Sequence, residues 1–220
     1  MSTKLADFLP EIMTRLPGIT EELLMQEIFA AVRQFCEDGR AWTELFGPMS
    51  SKANNPTIYL DPLFQSARVG YVHRCTFQGN SNVRKILLPA PEYPLYEQFS
   101  TEPRAFLMVG PGTVQLAPTP NRDWSKRYLF DLSVIPTEST CKLPDIFRTH
   151  WRDAVIDGTC ARCMSMISKP WTNQQQAIIH GRSFRNHIKR SRAITSAKFS
   201  PQAGWTFPDF AKQRVGESFI

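Results

Sequence analysis

The sequence predicts an α+β protein, built as a helical bundle with an inserted antiparallel β-sandwich or barrel and an extended C-terminal tail. Apolar residues recur at helical spacing towards both ends of the chain, whereas the middle alternates apolar and polar residues as strands do. Most of the seventeen prolines fall within residues 48–144, where they mark turns and strand edges. With 42% hydrophobic and 21% charged residues, the composition excludes wholesale disorder.

These patterns divide the 220-residue chain into four segments. The predicted segments are N-terminal helices of the bundle in 1–47, an antiparallel β insertion in 48–142, a C-terminal helical hairpin in 143–197 and an extended docking tail in 198–220.

The N-terminal segment predicts a short amphipathic helix interrupted by Pro10, followed by a longer helix. Thr20 is the expected N-cap of the longer helix, because two glutamates follow it in the first turn. Gly39 is the expected C′ residue that ends it. Its apolar stripe consists of Leu24, Ile28, Ala31 and Phe35.

The pattern of the middle segment predicts five or six antiparallel strands. They are expected at residues 57–60, 69–77, 83–88, 105–109, 113–117 and 128–134. Gly110-Pro111-Gly112 predicts a hairpin turn between two of them. Residues between Pro89 and Pro103 are expected to form an exposed loop.

Two further helices are predicted after Pro144, which suits the first turn of a helix. The first has a stripe that shrinks in size towards its end: Phe147, Trp151, Ala154, Gly158 and Ala161. The second begins at a capping-box pattern, Thr172-Asn173-Gln174-Gln175, and runs to about residue 196. Its facing stripe is Ala177, Gly181, Phe184, Ile188 and Ser191. The short connection predicts an antiparallel helical hairpin.

Catalytic, metal and cofactor chemistry has little basis in the sequence. The five cysteines are Cys36, Cys75, Cys141, Cys160 and Cys163, and we expect reduced, mostly buried thiols. The CxxC pair at 160–163 lies inside a predicted helix without a second pair to complete a zinc site. Asp153 and Asp157 are interpreted as surface partners of Arg152 or Arg162. We therefore expect no catalytic residues, no metal, no cofactor and no enzyme activity.

The positive charge of the chain is concentrated near its C-terminus. No acidic residue lies between Asp157 and Asp209, a stretch that holds eight of the 26 basic residues. The rest of the chain sums to 18 bases minus 20 acids, or −2. Four bases recur at helical spacing and line one face of the last helix: Arg182, Arg185, Lys189 and Arg192. The face is either a solvated surface or a contact with an acidic subunit or with DNA phosphates.

Four large aromatic residues occur in the final segment, among prolines and glycines. They are Trp205, Phe207, Phe210 and Phe219. A free tail of this kind would lower solubility, so we expect it to dock either on its own domain or on another chain. An intermolecular contact is the favoured interpretation, because aromatic anchors in extended segments suit protein interfaces.

Several short motifs carry a resemblance to a known family by their order along roughly residues 5–195. In the first helical region they are Phe8-Leu9-Pro10-Glu11-Ile12, Leu16-Pro17-Gly18, Ala31-Val32-Arg33-Gln34-Phe35-Cys36 and Ala41-Trp42-Thr43-Glu44. Further along they are Tyr59-Leu60-Asp61-Pro62, Leu143-Pro144-Asp145 and Lys169-Pro170-Trp171-Thr172-Asn173. The chain resembles the head-to-tail adaptors of tailed bacteriophages, also called head-completion or connector proteins, to which the tail tubular protein A group is related.

The resemblance implies a structural virion protein of the neck, without catalytic residues. Such a protein forms a homo-oligomeric ring, commonly a dodecamer, that docks under the portal protein, extends the channel for double-stranded DNA and offers an attachment surface to the tail or neck protein. The aromatic tail would then contact the portal or a neighbouring subunit. Because the sequence shows neither a signal peptide nor a membrane span, we expect synthesis in the host cytoplasm and no membrane contact. The alternative is a nonspecific DNA-binding protein that uses the basic helix.

Overall fold

The computed structural model describes residues 2–60, 66–79, 84–89, 102–110, 112–138, 140 and 142–199. Within them the protein is α+β, with five α-helices and three antiparallel sheets. The helices are α1 (Leu9–Arg15), α2 (Glu21–Gly39), α3 (Ile146–Thr149), α4 (Arg152–Met164) and α5 (Gln174–Phe199). The strands are β1 (Ser2–Lys4), β2 (Thr43–Ser51), β3 (Thr57–Tyr59), β4 (Ala67–Gln78), β5 (Arg84–Pro89), β6 (Ala105–Gly110), β7 (Thr113–Ala117), β8 (Trp124–Pro136) and β9 (Lys142–Pro144).

The predicted helical bundle with a single inserted sandwich or barrel is wrong. Strands β2, β8, β4 and β5 form one antiparallel sheet, and β6, β7 and β3 form another. A parallel pairing joins the two only where Leu88 lies opposite Ala105 and Pro89 opposite Phe106. Within the described residues no barrel closes, because β2 and β3 remain the two edges of this array. Pro89 lacks a backbone N–H, which limits further pairing at the junction.

The third sheet consists of β1 and β9 and was not expected from the sequence. Thr3 lies opposite Leu143, so the start of the chain pairs with the strand that precedes α3. Strand β2 was also not predicted. The exposure of its residues does not alternate, and the strand contains Gly47, at φ 130°, followed by Pro48. Both additions are short or irregular, and so they lack the alternation by which strands are recognised.

The six strands expected from alternation are confirmed as β3 to β8, with ends that differ by a few residues. Strands β6 and β7 form the predicted antiparallel hairpin, in which Gly110 lies opposite Thr113. The alternating apolar residues of β8 are all buried: Tyr128, Phe130, Leu132 and Val134. Residues 90–101 and Pro111, which belong to the predicted loop and turn, lie outside the described residues.

The helices meet the sheet through one continuous hydrophobic core. Helix α2 carries Phe35 into a cluster of aromatic rings, with centroids 5.3 Å from Trp151, 6.0 Å from Phe184 and 6.3 Å from Phe147. Edge-to-face and tilted contacts of this kind stabilise beyond the burial of apolar area. The cluster therefore joins α2, α3 and α5 with Trp151, the residue that precedes α4.

Helix ends differ in detail from the sequence predictions. Helix α2 includes Gly39, and Arg40 takes the left-handed conformation at φ 53° instead. Asn173, not Thr172, caps α5, because its Oδ1 accepts a hydrogen bond from the backbone N–H of Gln176 at 3.1 Å. The single helix expected after Pro144 is divided into α3 and α4 at Trp151.

Helices α4 and α5 form the predicted antiparallel hairpin, and small residues let them approach closely. A Cβ placed on Gly158 would lie only 2.8 Å from Cε2 of Phe184 and 3.1 Å from Cβ of Ala31. The ring of Phe184 therefore occupies the space that a side chain at residue 158 would need. Helix α5 has 26 residues, about 39 Å at 1.5 Å per residue.

Candidate assembly surface

The outward face of α5 carries a stripe of unpaired positive charge. Arg182, Arg185, Lys189 and Arg192 are all exposed and span about 15 Å of helix. Within the described part of the chain, none of them lies within salt-bridge distance of a carboxylate. Arg185 donates only to the carbonyl of Gly181 in its own helix, at 3.2 Å. We call these four residues the basic stripe.

Bases on the neighbouring helix have acidic partners. Arg152 lies 2.8 Å from the carboxylate of Glu11, and Arg162 lies 2.6 Å from that of Glu27. The interpretation that these arginines pair with Asp153 or Asp157 is therefore wrong, because α4 packs between acidic residues of α1 and α2. The basic stripe differs from these arginines, because no described acidic residue pairs with it.

Asp157 organises a polar cluster between α4 and α5 that sequence reasoning missed. Its carboxylate accepts from Nδ1 of His180 at 2.8 Å and from Oγ of Ser183. Nε2 of His187 lies 3.6 Å from the same group. The spacing of His180, Ser183 and His187 could have predicted that they lie on one side of α5. Their common neighbour, Asp157, could not be predicted, because it depends on how α4 and α5 are aligned.

The cluster does not form a nucleophile with its base. In a serine–histidine–aspartate arrangement the histidine bonds the hydroxyl and the aspartate bonds the histidine. Here Ser183 and His180 each bond Asp157, and among the described residues no hydrogen bond joins the Ser183 hydroxyl to a histidine. A polar pocket of about 270 Å³ lies beside it, lined by Arg15, Asp153, Ile156, Asp157, Ser183 and His187. We interpret the cluster as an interhelical contact.

The CxxC cysteines lie buried in α4. Burial raises the pKa of Cys160 to about 11 and that of Cys163 to about 12, so both thiols stay protonated at neutral pH. Burial also raises the pKa of Cys36 and Cys75. Among the residues that the structure describes, no group of three or more histidine, cysteine, aspartate or glutamate side chains is arranged to hold a metal ion. Cys141 lies outside them.

The C-terminal end of α5 is attached to the sheet through Phe199. Its ring stacks on His73 of β4, with centroids 4.5 Å apart and planes 16° from parallel. Nε2 of His73 lies 2.6 Å from Oγ of Ser133, which donates to the carbonyl of Arg40. Burial, and then the charges of Arg40 and Lys198, lower the pKa of His73 to about 4. The end of α5 is thus held at a defined place.

The four predicted docking anchors, Trp205, Phe207, Phe210 and Phe219, lie outside the described residues. Their role stays a prediction, as does the division of the chain into four segments. None of the described helices combines the length and hydrophobicity that crossing a membrane would require.

No protein-family model matches this chain, and no curated protein matches it.

Proposed function

We propose that the chain is a structural virion protein, a ring-forming head-to-tail adaptor of a tailed bacteriophage. It docks under the portal, extends the DNA channel and provides the attachment surface for the tail or neck protein. The proposal rests on the order of the short motifs along the chain. The structural observation that supports it is the basic stripe, whose four residues are exposed on one long helix. None of the four has an acidic partner among the described residues.

A ring needs a heterologous interface, in which two different surfaces of each subunit meet and the rotation closes. The basic stripe supplies one such surface, towards an acidic neighbour or towards DNA in the channel. The tail aromatics Trp205, Phe207, Phe210 and Phe219 supply the anchors that contact the portal or the next subunit. Aromatic anchors provide much of the energy of protein interfaces, whereas charges at the rim mainly orient the partners.

The decisive experiment is sedimentation velocity of the purified chain, alone and mixed with the portal ring of the same virion. We expect a discrete, stoichiometric complex with the portal. The chain remaining a monomer beside an intact portal would contradict the adaptor function.

A matched pair of variants tests the role of the basic stripe. Changing Arg182, Arg185, Lys189 and Arg192 to glutamine should weaken assembly. The control changes four exposed bases elsewhere by the same total charge: Lys52, Arg104, Lys126 and Lys142. Equal effects of the two sets would show that only net charge matters, and that the stripe is not a specific contact.

The alternative function is nonspecific binding of double-stranded DNA through the same stripe. Four phosphate contacts would make log affinity fall with log salt at a slope of roughly −3 to −4, near −0.9 for each contact. The stripe variant would flatten that slope and the control variant would not. An adaptor should instead show little affinity for free duplex DNA. Strong, salt-dependent binding of duplex DNA, together with no binding to the portal, would favour the alternative.

A further inference from the structure

Opposite charges are concentrated on α2 and α5. Helix α5 carries six bases and no acid, a net charge of +6 with histidine neutral: Arg182, Arg185, Lys189, Arg190, Arg192 and Lys198. Helix α2 carries five acids and one base, a net charge of −4: Glu21, Glu22, Glu27, Glu37, Asp38 and Arg33. Helices α1 and α4 each carry equal numbers of acids and bases. The strong charges of the helices are therefore confined to α2 and α5.

These opposite charges do not pair with each other within one subunit. Helices α2 and α5 pack through buried groups, and the ring centroids of Phe35 and Phe184 lie 6.0 Å apart. Within the described part of the chain, none of the six α5 bases lies within salt-bridge distance of a carboxylate. Glu27 and Glu37 of α2 form ion pairs with α4 and β4, not with α5. Most of the charge on both helices therefore stays available to another molecule.

The charged faces of both helices point away from the contact between them. At about 100° per residue, the basic stripe is centred about 120° around α5 from Phe184. By the same measure, Glu22 and Glu37 lie about 140–160° around α2 from Phe35. Four acids at the two ends of α2 are exposed: Glu21, Glu22, Glu37 and Asp38. We call these four residues the α2 acids. Two copies of the chain placed side by side can bring the stripe of one against the α2 acids of the other.

Apolar side chains beside both charged faces favour a protein partner over nucleic acid. Ile178 lies one turn before Arg182, in line with the basic stripe, and is 54% exposed. On α2, Phe29 is partly exposed and lies on the same side as Glu22, about two turns away. DNA phosphates would leave this apolar surface uncovered, whereas a protein face with acidic and apolar side chains would cover it. The exposed side of α2 has that composition.

We propose that the basic stripe of one subunit binds the α2 acids of a second copy of this chain. The inference rests on the proposed ring-forming function and names the contact between its subunits. Each copy carries one stripe and one set of α2 acids, on different helices. The contact is therefore heterologous and can be repeated from subunit to subunit, as closure into a ring requires.

A charge-swap experiment tests this contact. One variant changes the four bases of the stripe to glutamate, and the other changes the four α2 acids to lysine. Each variant alone presents like charges on both faces, so its self-association in sedimentation velocity at low salt should be weaker than that of the unaltered chain by about tenfold or more. An equimolar mixture should recover association, because the altered stripe of one variant meets the altered α2 of the other and the two unaltered faces also match.

The matched control reverses four exposed acids outside α2 to lysine: Asp7, Glu44, Glu138 and Asp153. Mixed with the stripe variant, it should not restore association. Circular dichroism and urea unfolding check that each variant is folded. If the change of all four α2 acids unfolds the chain, Glu37→Lys with Asp38→Lys is used instead, since lysine is favoured in the last turn of a helix.

A mixture that fails to recover association would overturn the proposal, as would equal recovery with the control. Unchanged assembly of the α2 variant, together with loss of duplex DNA binding by the stripe variant, would assign the stripe to DNA and overturn it equally. A chain that is monomeric alone is measured on the portal ring, where neighbouring copies adjoin, as the number of copies bound to each portal.

The portal experiment separates this inference from the proposed function. Portal binding by the unaltered chain, without recovery in the mixture, would leave the adaptor function standing and remove the contact. Recovery in the mixture of a chain that does not bind the portal would support the contact and contradict the adaptor function. A chain that neither self-associates nor binds the portal would overturn both.

Discussion

Two glycines in the helical hairpin provide a sharp test of how closely α4 and α5 pack. Gly158 and Gly181 both lie inside helices, where changing glycine to alanine favours the helix by about 0.5–1 kcal/mol. At Gly181 the nearest atom to a new Cβ would be Cβ of Ala161, at 3.9 Å, which is ordinary contact. We therefore expect Gly181→Ala to raise the free energy of unfolding by about 0.5–1 kcal/mol.

At Gly158 the same change introduces overpacking. The new Cβ would lie 2.8 Å from the Phe184 ring and 3.1 Å from Cβ of Ala31, and the latter is held by the backbone of α2. Overpacking of a tight core costs about 1–3 kcal/mol, which exceeds the gain in helix propensity. We expect Gly158→Ala to lower the free energy of unfolding by about 1 kcal/mol.

Urea denaturation of the two variants beside the unaltered chain measures both values. The loss caused by Phe184→Leu should be smaller when combined with Gly158→Ala, since the smaller side chain relieves the overlap. Equal stability of the two glycine variants, or additive effects of Gly158→Ala and Phe184→Leu, would refute the packing of the hairpin described above.

Three further predictions concern single contacts. Asn173→Ala should lower the free energy of unfolding, measured in urea, by about 1 kcal/mol, because Oδ1 of Asn173 caps α5. An unchanged free energy of unfolding would contradict this capping role. The free energy of unfolding should fall as the pH drops from 6.5 to about 4, because the unfolded chain protonates His73 in that range while the folded chain does not; His73→Gln should make the dependence shallower, and identical pH profiles would contradict the lowered pKa. Cys160 and Cys163 should react with a thiol reagent only as fast as the chain opens, so rapid labelling in native buffer would show that they are accessible.

Local sequence patterns predicted the helices and strands that bury one face, because their apolar residues repeat with the period of the element. The stripe of α2 and the alternation of β8 could be recognised because burial repeats with the period of the element. The same reasoning missed β2, whose nine residues lie at an edge and follow no such period. It also expected Gly39 to be the C′ residue after α2, whereas Gly39 is the last residue of the helix and Arg40 takes the left-handed conformation, with its guanidinium 3.7 Å from the ring of Tyr71. A contact with a distant strand offsets a local preference there.

The sequence by itself determined the α+β class, the order of the principal helices and strands, the hairpin of α4 and α5 and the basic stripe, because each depends on residues close together along the chain. Only the tertiary structure decided that the sheets stay open, that β1 pairs with β9 and that Asp157 meets two histidines. These features depend on pairings between distant segments, and a shift of one residue along a strand or of one turn along a helix would bring different side chains together.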